Sequence, residues 1–186
     1  LRHEFLYGLE TTNCLEPEGW YGRHICIENE EHLIAALPLY LRTNSYGEFV
    51  FDWAWADTYE RAGGSYYPKL VSAIPFTPVR GHRLLVDSTL HQSDELKKLL
   101  VASLVNSATQ NNISSCHCLF PTDEEMPFFS DQKFLSRDSF QFYWYNRDYK
   151  NFEDFLDQLS SKKRKQIKHE RRQALQAGIE VEVLHG

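Results

Sequence analysis

Residues 45–86 read SYGEFVFDWAWADTYERAGGSYYPKLVSAIPFTPVRGHRLLV, and the interpretation of this stretch decides the fold. Phe49, Phe51, Trp53 and Trp55 alternate with Val50, Asp52, Ala54 and Ala56. Side chains on an extended segment point to opposite faces in turn, so a period of two predicts a strand over Phe49–Trp55 with four large rings on one side. The other side is small and carries one carboxylate. Ala56–Ala62 then reads as a short helix stopped by Gly63 and Gly64, and Lys69–Ile74 as a short apolar strand. Pro75 and Pro78 each remove a ladder donor, which predicts a splayed, bulged or edge strand between Ala73 and Val86.

Upstream, Arg23–Glu28 and His32–Arg42 are two extended runs around a polar ENEE turn, the pattern of a hairpin. Downstream, Ser93 reads as an N-cap for an amphipathic helix reaching Gln110, with Leu96, Leu99, Leu100 and Leu104 on its apolar face. Ile113–Phe120 is expected as a strand, the PTDEEMPFFSD segment as loop, and Phe140–Tyr145 as an aromatic strand. Asn151 caps a helix whose Phe152, Phe155, Leu156 and Leu159 recur at i, i+3, i+4 and i+7. Ser160 or Ser161 opens a last, basic helix that Gly178 terminates. Periodicity alone therefore gives a mixed α/β domain.

With 186 residues, 42% of them hydrophobic, the chain suits one globular domain, or one and the start of another. The net charge of −6 is unevenly spread. Seven cations (Lys162, Lys163, Arg164, Lys165, Lys168, Arg171, Arg172) and one acid, Glu170, lie between Lys162 and Arg172, leaving 13 basic and 25 acidic residues elsewhere. An acidic body with a basic terminal segment follows. There is no apolar stretch approaching the roughly 20 residues of a membrane span, and the first residues do not read as a charged-then-apolar secretory leader. Cys14, Cys26, Cys116 and Cys118 lack the spacing of a disulfide scaffold, so reduced thiols in the cytoplasm are expected. On a strand Cys116 and Cys118 share one face and His117 takes the other. No second Cys or His pair stands at finger-like spacing, and no metal is expected. The chain opens on Leu1 and ends in a strand-like IEVEVL run, which reads as a fragment.

The aromatic run, SYYPKLVSAIPFTPV, FQFYWYNRDYKNFEDFL and SSKKRKQIKHERRQALQAG together resemble the FemAB-like family of predicted N-acyltransferases of peptidoglycan biosynthesis or recognition, which use the GNAT fold. The resemblance implies an α/β (α+β) GNAT-like domain with a mixed, mostly antiparallel central sheet flanked by helices. It implies that domain over residues 1–159, a basic connector helix over 160–178, and the start of a second GNAT-like domain at 179–186 whose remainder is a missing C-terminal domain in cis. The implied activity is transfer of an acyl or aminoacyl group to an amine, on a small-molecule or peptidoglycan-precursor substrate, from acyl-CoA or aminoacyl-tRNA. In GNAT enzymes the donor's pantetheine lies against a splayed strand and its pyrophosphate sits on amides opening the next helix. Ala73–Val86 and Ser93–Gln110 are the matching elements. The DSTLHQSDE loop between them has no glycine and carries Asp87, Asp94 and Glu95, so this chain is expected to bind CoA weakly.

Each candidate residue has a functional and a structural interpretation. Asp52 can accept a proton from an incoming amine through water if burial raises its pKa, or can be a hydrogen-bonded structural carboxylate. Tyr67 can protonate a leaving group, and His117 can act as a base in a cleft; both can equally belong to a core. Trp53, Trp55, Tyr66, Lys69, Phe76, Thr77 and Arg80 are candidates to line a substrate groove. Gln141 and Trp144 are candidates for a polar and aromatic rim that meets a sugar or peptide. Lys163, Arg164, Lys168 and Arg171 can meet RNA phosphates, tRNA included, or can solvate a connector. Three functions remain open at this point: an N-acyltransferase, a non-catalytic peptide or glycan recognition domain of the same fold, and RNA binding through the basic helix.

Overall fold

The computed structural model describes residues 2–30, 32–178 and 182–184. By its contacts the chain forms two compact units, Leu1–Ser139 and Phe140–Gly186. The first unit has the expected α+β character, with helices on mostly antiparallel sheets, in keeping with a GNAT-like domain.

Helix α1 (His3–Thr11) opens this unit and was not foreseen from the pattern of the sequence. After a 3-10 turn at Glu16–Glu18 come strand β1 (Trp20–Gly22) and the expected hairpin, β2 (Ile25–Asn29) with β3 (His32–Leu37). Pro38, which lacks an N–H, ends β3, and the chain moves to a second sheet as β4 (Tyr40–Arg42). Next follow helix α2 (Trp53–Arg61), strand β5 (Lys69–Ser72), strand β6 (Leu85–Val86), the long helix α3 (Ser93–Gln110), strand β7 (Cys116–Cys118) and helix α4 (Met126–Asp131). One sheet has the order β1-β4-β5-β7, antiparallel except for the parallel β5–β7 pair. The other has the antiparallel order β2-β3-β6.

Register assigns the two faces of the four-stranded sheet. Leu41, Leu70 and Cys116 pair across it and pack, with Cys118, against the core that holds Leu100, Val101 and Leu104 of α3. On the opposite face lie the rows Trp20–Arg42–Lys69 and Tyr40–Val71–His117. Trp20, Tyr40 and Val71 form a second core there with Leu15, Ala73 and Leu119. The expected split of the thiols from the imidazole across β7 is therefore observed.

Several expectations are corrected. Phe49–Trp55 is not a strand, because Phe49 (φ 60°) and Phe51 (φ 50°) sit in the left-handed region and Trp53 already belongs to α2. Its rings do not fill a core: Phe49, Phe51, Trp53 and Trp55 are all exposed. Ala73–Val86 is strand only at Leu85–Val86, and the segment with Pro75 and Pro78 is a loop. The expected strand at Ile113–Phe120 shortens to β7, and the supposed loop after it contains α4. Ser93 is the first helical residue of α3, and Gln92 before it makes no side-chain cap.

The second unit begins without regular structure. Phe140–Tyr145, expected as a strand, is irregular, with Phe140, Phe142, Tyr143, Trp144 and Tyr145 exposed. The helix starts then fall as read. Asn151 Oδ1 accepts from Asp154 N (3.0 Å) at the head of α5 (Phe152–Asp157). Ser160 Oγ accepts from Lys163 N (3.4 Å) at the head of α6 (Ser161–Gln176), and Gly178 follows with φ 71°. The second-domain start expected at 179–186 falls mostly outside the described residues.

Candidate functional site

The row Trp20–Arg42–Lys69 places two cations on the face of the sheet that α3 does not cover. The loop after β4 folds over them. Within it, Asn44 Oδ1 accepts from Tyr46 N (2.9 Å) and from Arg42 Nη2 (3.1 Å), and Tyr46 O accepts from the same Nη2 (2.6 Å). That turn delivers Ser45, Glu48 and Asp52 to the buried amine. Lys69 Nζ donates to Ser45 Oγ (2.8 Å), Glu48 Oε2 (2.8 Å) and Asp52 Oδ2 (2.6 Å), which uses all three of its protons. Arg42 Nε donates to the other Glu48 oxygen (3.1 Å), and the guanidinium lies 3.7 Å from the Trp20 ring centroid. Tyr66 OH donates to Asp52 Oδ2 (2.7 Å), and Tyr67 OH meets Ser45 Oγ at 2.8 Å. The side chains of Arg42, Glu48 and Lys69 are fully buried and that of Asp52 is 4% exposed. Two cations and two carboxylates thus form a buried node of zero net charge.

The two carboxylates are not equivalent. Burial works to raise Asp52, but hydrogen bonds from Lys69, the Ser45 hydroxyl, the charge of Lys69 and the Tyr66 phenol outweigh it and hold Asp52 at about 2. Burial dominates at Glu48 and holds it above the usual carboxylate range despite Lys69 and Arg42. Burial, then the bond to Asp52, pushes the Tyr66 phenol up. His117 lies with its ring 6.1 Å from that of Tyr66 and its Nε2 2.8 Å from Ser115 Oγ. Burial and the charge of Lys69 lower it to about 4, so the ring is neutral at pH 7. The condition set for Asp52 as a base, a pKa raised by burial, is not met: a carboxylate near 2 is a poor proton acceptor.

Asp52, Tyr66, Tyr67, Lys69 and, one ring away, His117 are brought together. Trp53 and Trp55 stand on the exposed first turn of α2, which opens at Asp52, whose main-chain carbonyl accepts from Trp55 N (2.9 Å) and Ala56 N (3.1 Å) while its carboxylate stays in the node. Phe76 packs on Trp20 (5.8 Å), Thr77 bonds back to Pro75 O (3.0 Å), and Arg80 pairs with Asp123 and Pro121 O. Gln141, Trp144, Lys163, Arg164, Lys168 and Arg171 all belong to the second unit. There Arg164 pairs with Asp157 (3.2 Å), Lys168 with Glu153, and Arg171 lies over Phe152 (4.3 Å), so three of the four residues assigned to RNA hold α5. Arg42, Ser45 and Glu48 were missed. Their signal was a charged residue ending an apolar strand and two acids inside an aromatic stretch. Among the described residues no group of three or more His, Cys, Asp or Glu can hold a metal ion. No described helix is long and apolar enough to cross a membrane.

Across its whole length, residues 1–186, the sequence matches the FemAB-like family, described as peptidoglycan biosynthesis/recognition. The chain belongs to that family. No curated protein and no solved structure matches it. In this FemAB-like chain the opening expected beside the splayed strand is taken by the chain itself. Arg83, fully buried, donates through Nε to Leu119 O (3.0 Å), and Gly81 N donates to Phe120 O (3.1 Å). Arg83 Nη2 holds Val79 O (2.9 Å) and Nη1 holds Gly81 O (2.9 Å). Buried Glu125 fixes the other side by accepting from Arg83 N (2.7 Å) and Leu84 N (2.6 Å). Asp94 and Glu95 stand in the first turn of α3 with no basic residue at its cap.

Proposed function

We propose that this chain is a peptidoglycan-recognition domain, binding a glycopeptide on the exposed rings that the buried node holds in place. One observation carries this: Tyr46, Phe51 and Trp53 form a contiguous exposed face, with ring centroids 6.2 Å (Tyr46–Trp53) and 5.6 Å (Phe51–Trp53) apart. Exposed apolar patches of this kind mark interaction sites. The face is anchored at both ends, because Arg42 bonds Tyr46 O and Asp52 opens the helix that carries Trp53. A locked, neutral node shapes a surface well and moves protons poorly. Titration of the chain with soluble muropeptides, followed by tryptophan fluorescence and calorimetry, tests the proposal. Saturable binding that Trp53→Ala weakens roughly tenfold is expected, the loss of one stacked ring. An unchanged affinity in that variant overturns this surface.

A second interpretation is N-acyl transfer to an amine of a peptidoglycan precursor, with acyl-CoA or aminoacyl-tRNA as donor. The four-stranded sheet, antiparallel except for its β5–β7 pair, favours it as the mixed, mostly antiparallel arrangement the GNAT resemblance implies. Panels of labelled donors with amine acceptors separate the two. Label reaching the acceptor selects transfer, and binding without product selects recognition.

A further inference from the structure

Trp53 has two ring neighbours, and neither lies parallel to it. Tyr46 is inclined at 52° and Phe51 at 67°, with centroids 6.2 and 5.6 Å from that of Trp53. Tyr46, Phe51 and Trp53 are 65%, 66% and 50% exposed, so they meet as a corner in contact with solvent and not as a flat platform. Packing does not account for Phe51. It stands at φ 50°, where a bulky residue is an outlier, and its ring gains little burial in return. The turn that brings Glu48 and Asp52 to Lys69 would be served at lower cost by Asn or Gly. A strained backbone that displays a ring points to a use for that ring.

Charge and hydrogen bonding decide what fits. Elsewhere in the first unit the chain covers its rings with its own cations: Arg42 lies over Trp20 (3.7 Å), Lys69 over Tyr66 (5.2 Å) and Arg137 over Trp55 (5.8 Å). Among the described residues none lies over Tyr46, Phe51 or Trp53. Residues 44–61 carry four acids, Glu48, Asp52, Asp57 and Glu60, and one base, Arg61. Arg42 and Lys69 balance the buried pair and Arg61 holds Asp57 (2.8 Å), which leaves Glu60. Glu60 lies on the Trp53 flank of α2 (i, i+7), whereas Trp55, with Arg137, lies on another. The positive end of the α2 dipole meets the ionised Asp52. The surroundings therefore favour a cation. A primary ammonium is strongly hydrated and needs acceptors for its three protons, and the three side chains bring one hydroxyl among them, that of Tyr46. A quaternary ammonium has no N–H and is held by ring faces alone.

We propose that Tyr46, Phe51 and Trp53 form an aromatic corner that binds a trimethylammonium head group. The proposal uses the rings of the recognition function but does not depend on a glycopeptide ligand.

Calorimetry and tryptophan fluorescence on the full chain, at physiological salt, compare choline, phosphocholine and the neutral carbon analogue of choline, 3,3-dimethylbutan-1-ol. Choline is expected to bind roughly tenfold more tightly than the neutral analogue. Trp53→Leu, which keeps apolar area and removes the π face, is expected to erase that preference, and Phe51→Leu to reduce it. Phosphocholine binding more tightly than choline identifies a phosphate-linked head group as the source, and the reverse order identifies the free cation. Equal binding of choline and its neutral analogue overturns the proposal, as does a preference that both leucine variants leave unchanged. Soluble muropeptides form a separate arm. If they bind through Trp53 and choline does not bind, the corner proposal is overturned and the recognition function stands. If choline binds and muropeptides do not, the corner stands and the recognition function falls.

Discussion

Lys69 shows why a single residue organises the first unit. Its ammonium is the hub between two buried carboxylates, and it lies 5.2 and 5.6 Å from the ring centroids of Tyr66 and Tyr67. Lys69→Met keeps the apolar stem, strands buried Asp52 without its cation and leaves Glu48 with Arg42 alone. Breaking a buried pair from one side typically costs about 3–5 kcal/mol, so urea denaturation at pH 7 is expected to show a loss of that order. A loss under about 1 kcal/mol would place the acids in contact with water. His117 supplies a pH test. Its folded value of about 4 lies below the ordinary 6.5, so between these values the unfolded chain binds the extra proton. Stability is then complete above pH 6.5 and declines as pH falls through that window, on the order of 3 kcal/mol by pH 4. Asp52, held near 2 against 3.8, adds a second loss below pH 3.8. Glu48, held high, acts in the opposite direction just above its ordinary 4.5, so the comparison that counts is with His117→Gln. That variant should flatten the stability profile between pH 6.5 and 5 and leave the steep fall below pH 3.8 in place.

At the scale of elements, local signals were legible and convergence was not. The hairpin, the Asn151 and Ser160 caps and the alternation along β7 follow from patterns a few residues long, and all are observed. Phe49–Trp55 misled because alternation reports a strand only where the backbone stays extended. Here the left-handed Phe49 and Phe51 turn the chain so that Glu48 and Asp52 both reach Lys69, and two buried ion pairs outweigh β-propensity. Arg42 and Glu48 could not be paired from sequence, since the register that sets Arg42 beside Lys69 is tertiary. The proline segment was legible as irregular but not as filled. Because Arg83 and Gly81 occupy the carbonyls of Leu119 and Phe120, and the start of α3 is acidic, calorimetry with CoA is expected to show no micromolar binding. A micromolar signal would mean that the segment opens. Thiol chemistry probes the same sheet. Burial pushes Cys116 up to about 11 and Cys118 higher still, whereas Cys14 and Cys26 are exposed. Iodoacetamide at pH 8 should label two cysteines quickly and two slowly, and mass spectrometry of the peptides identifies which.

At the scale of the molecule, charge and structure divide together. Residues 1–139 carry 11 basic and 19 acidic side chains and residues 140–186 carry 9 and 7, so the contrast between body and terminal segment follows the two compact units. The aromatic stretch at the start of the second unit tests that division. Phe140, Phe142, Tyr143, Trp144 and Tyr145 are each at least 65% exposed and lie outside any helix or strand. Trp53 and Trp55 are 50% and 63% exposed, but they lie in α2, where cleavage requires the helix to unwind and Asp52 to lose its place in the node. Side-chain exposure is similar in the two places, and the cost of opening the backbone is not. Brief chymotrypsin treatment followed by mass spectrometry should therefore find its first cuts between Phe140 and Tyr145. First cuts at Trp53 or Trp55 would show that the node does not hold α2, and with it would go the ring face on which the proposed recognition depends.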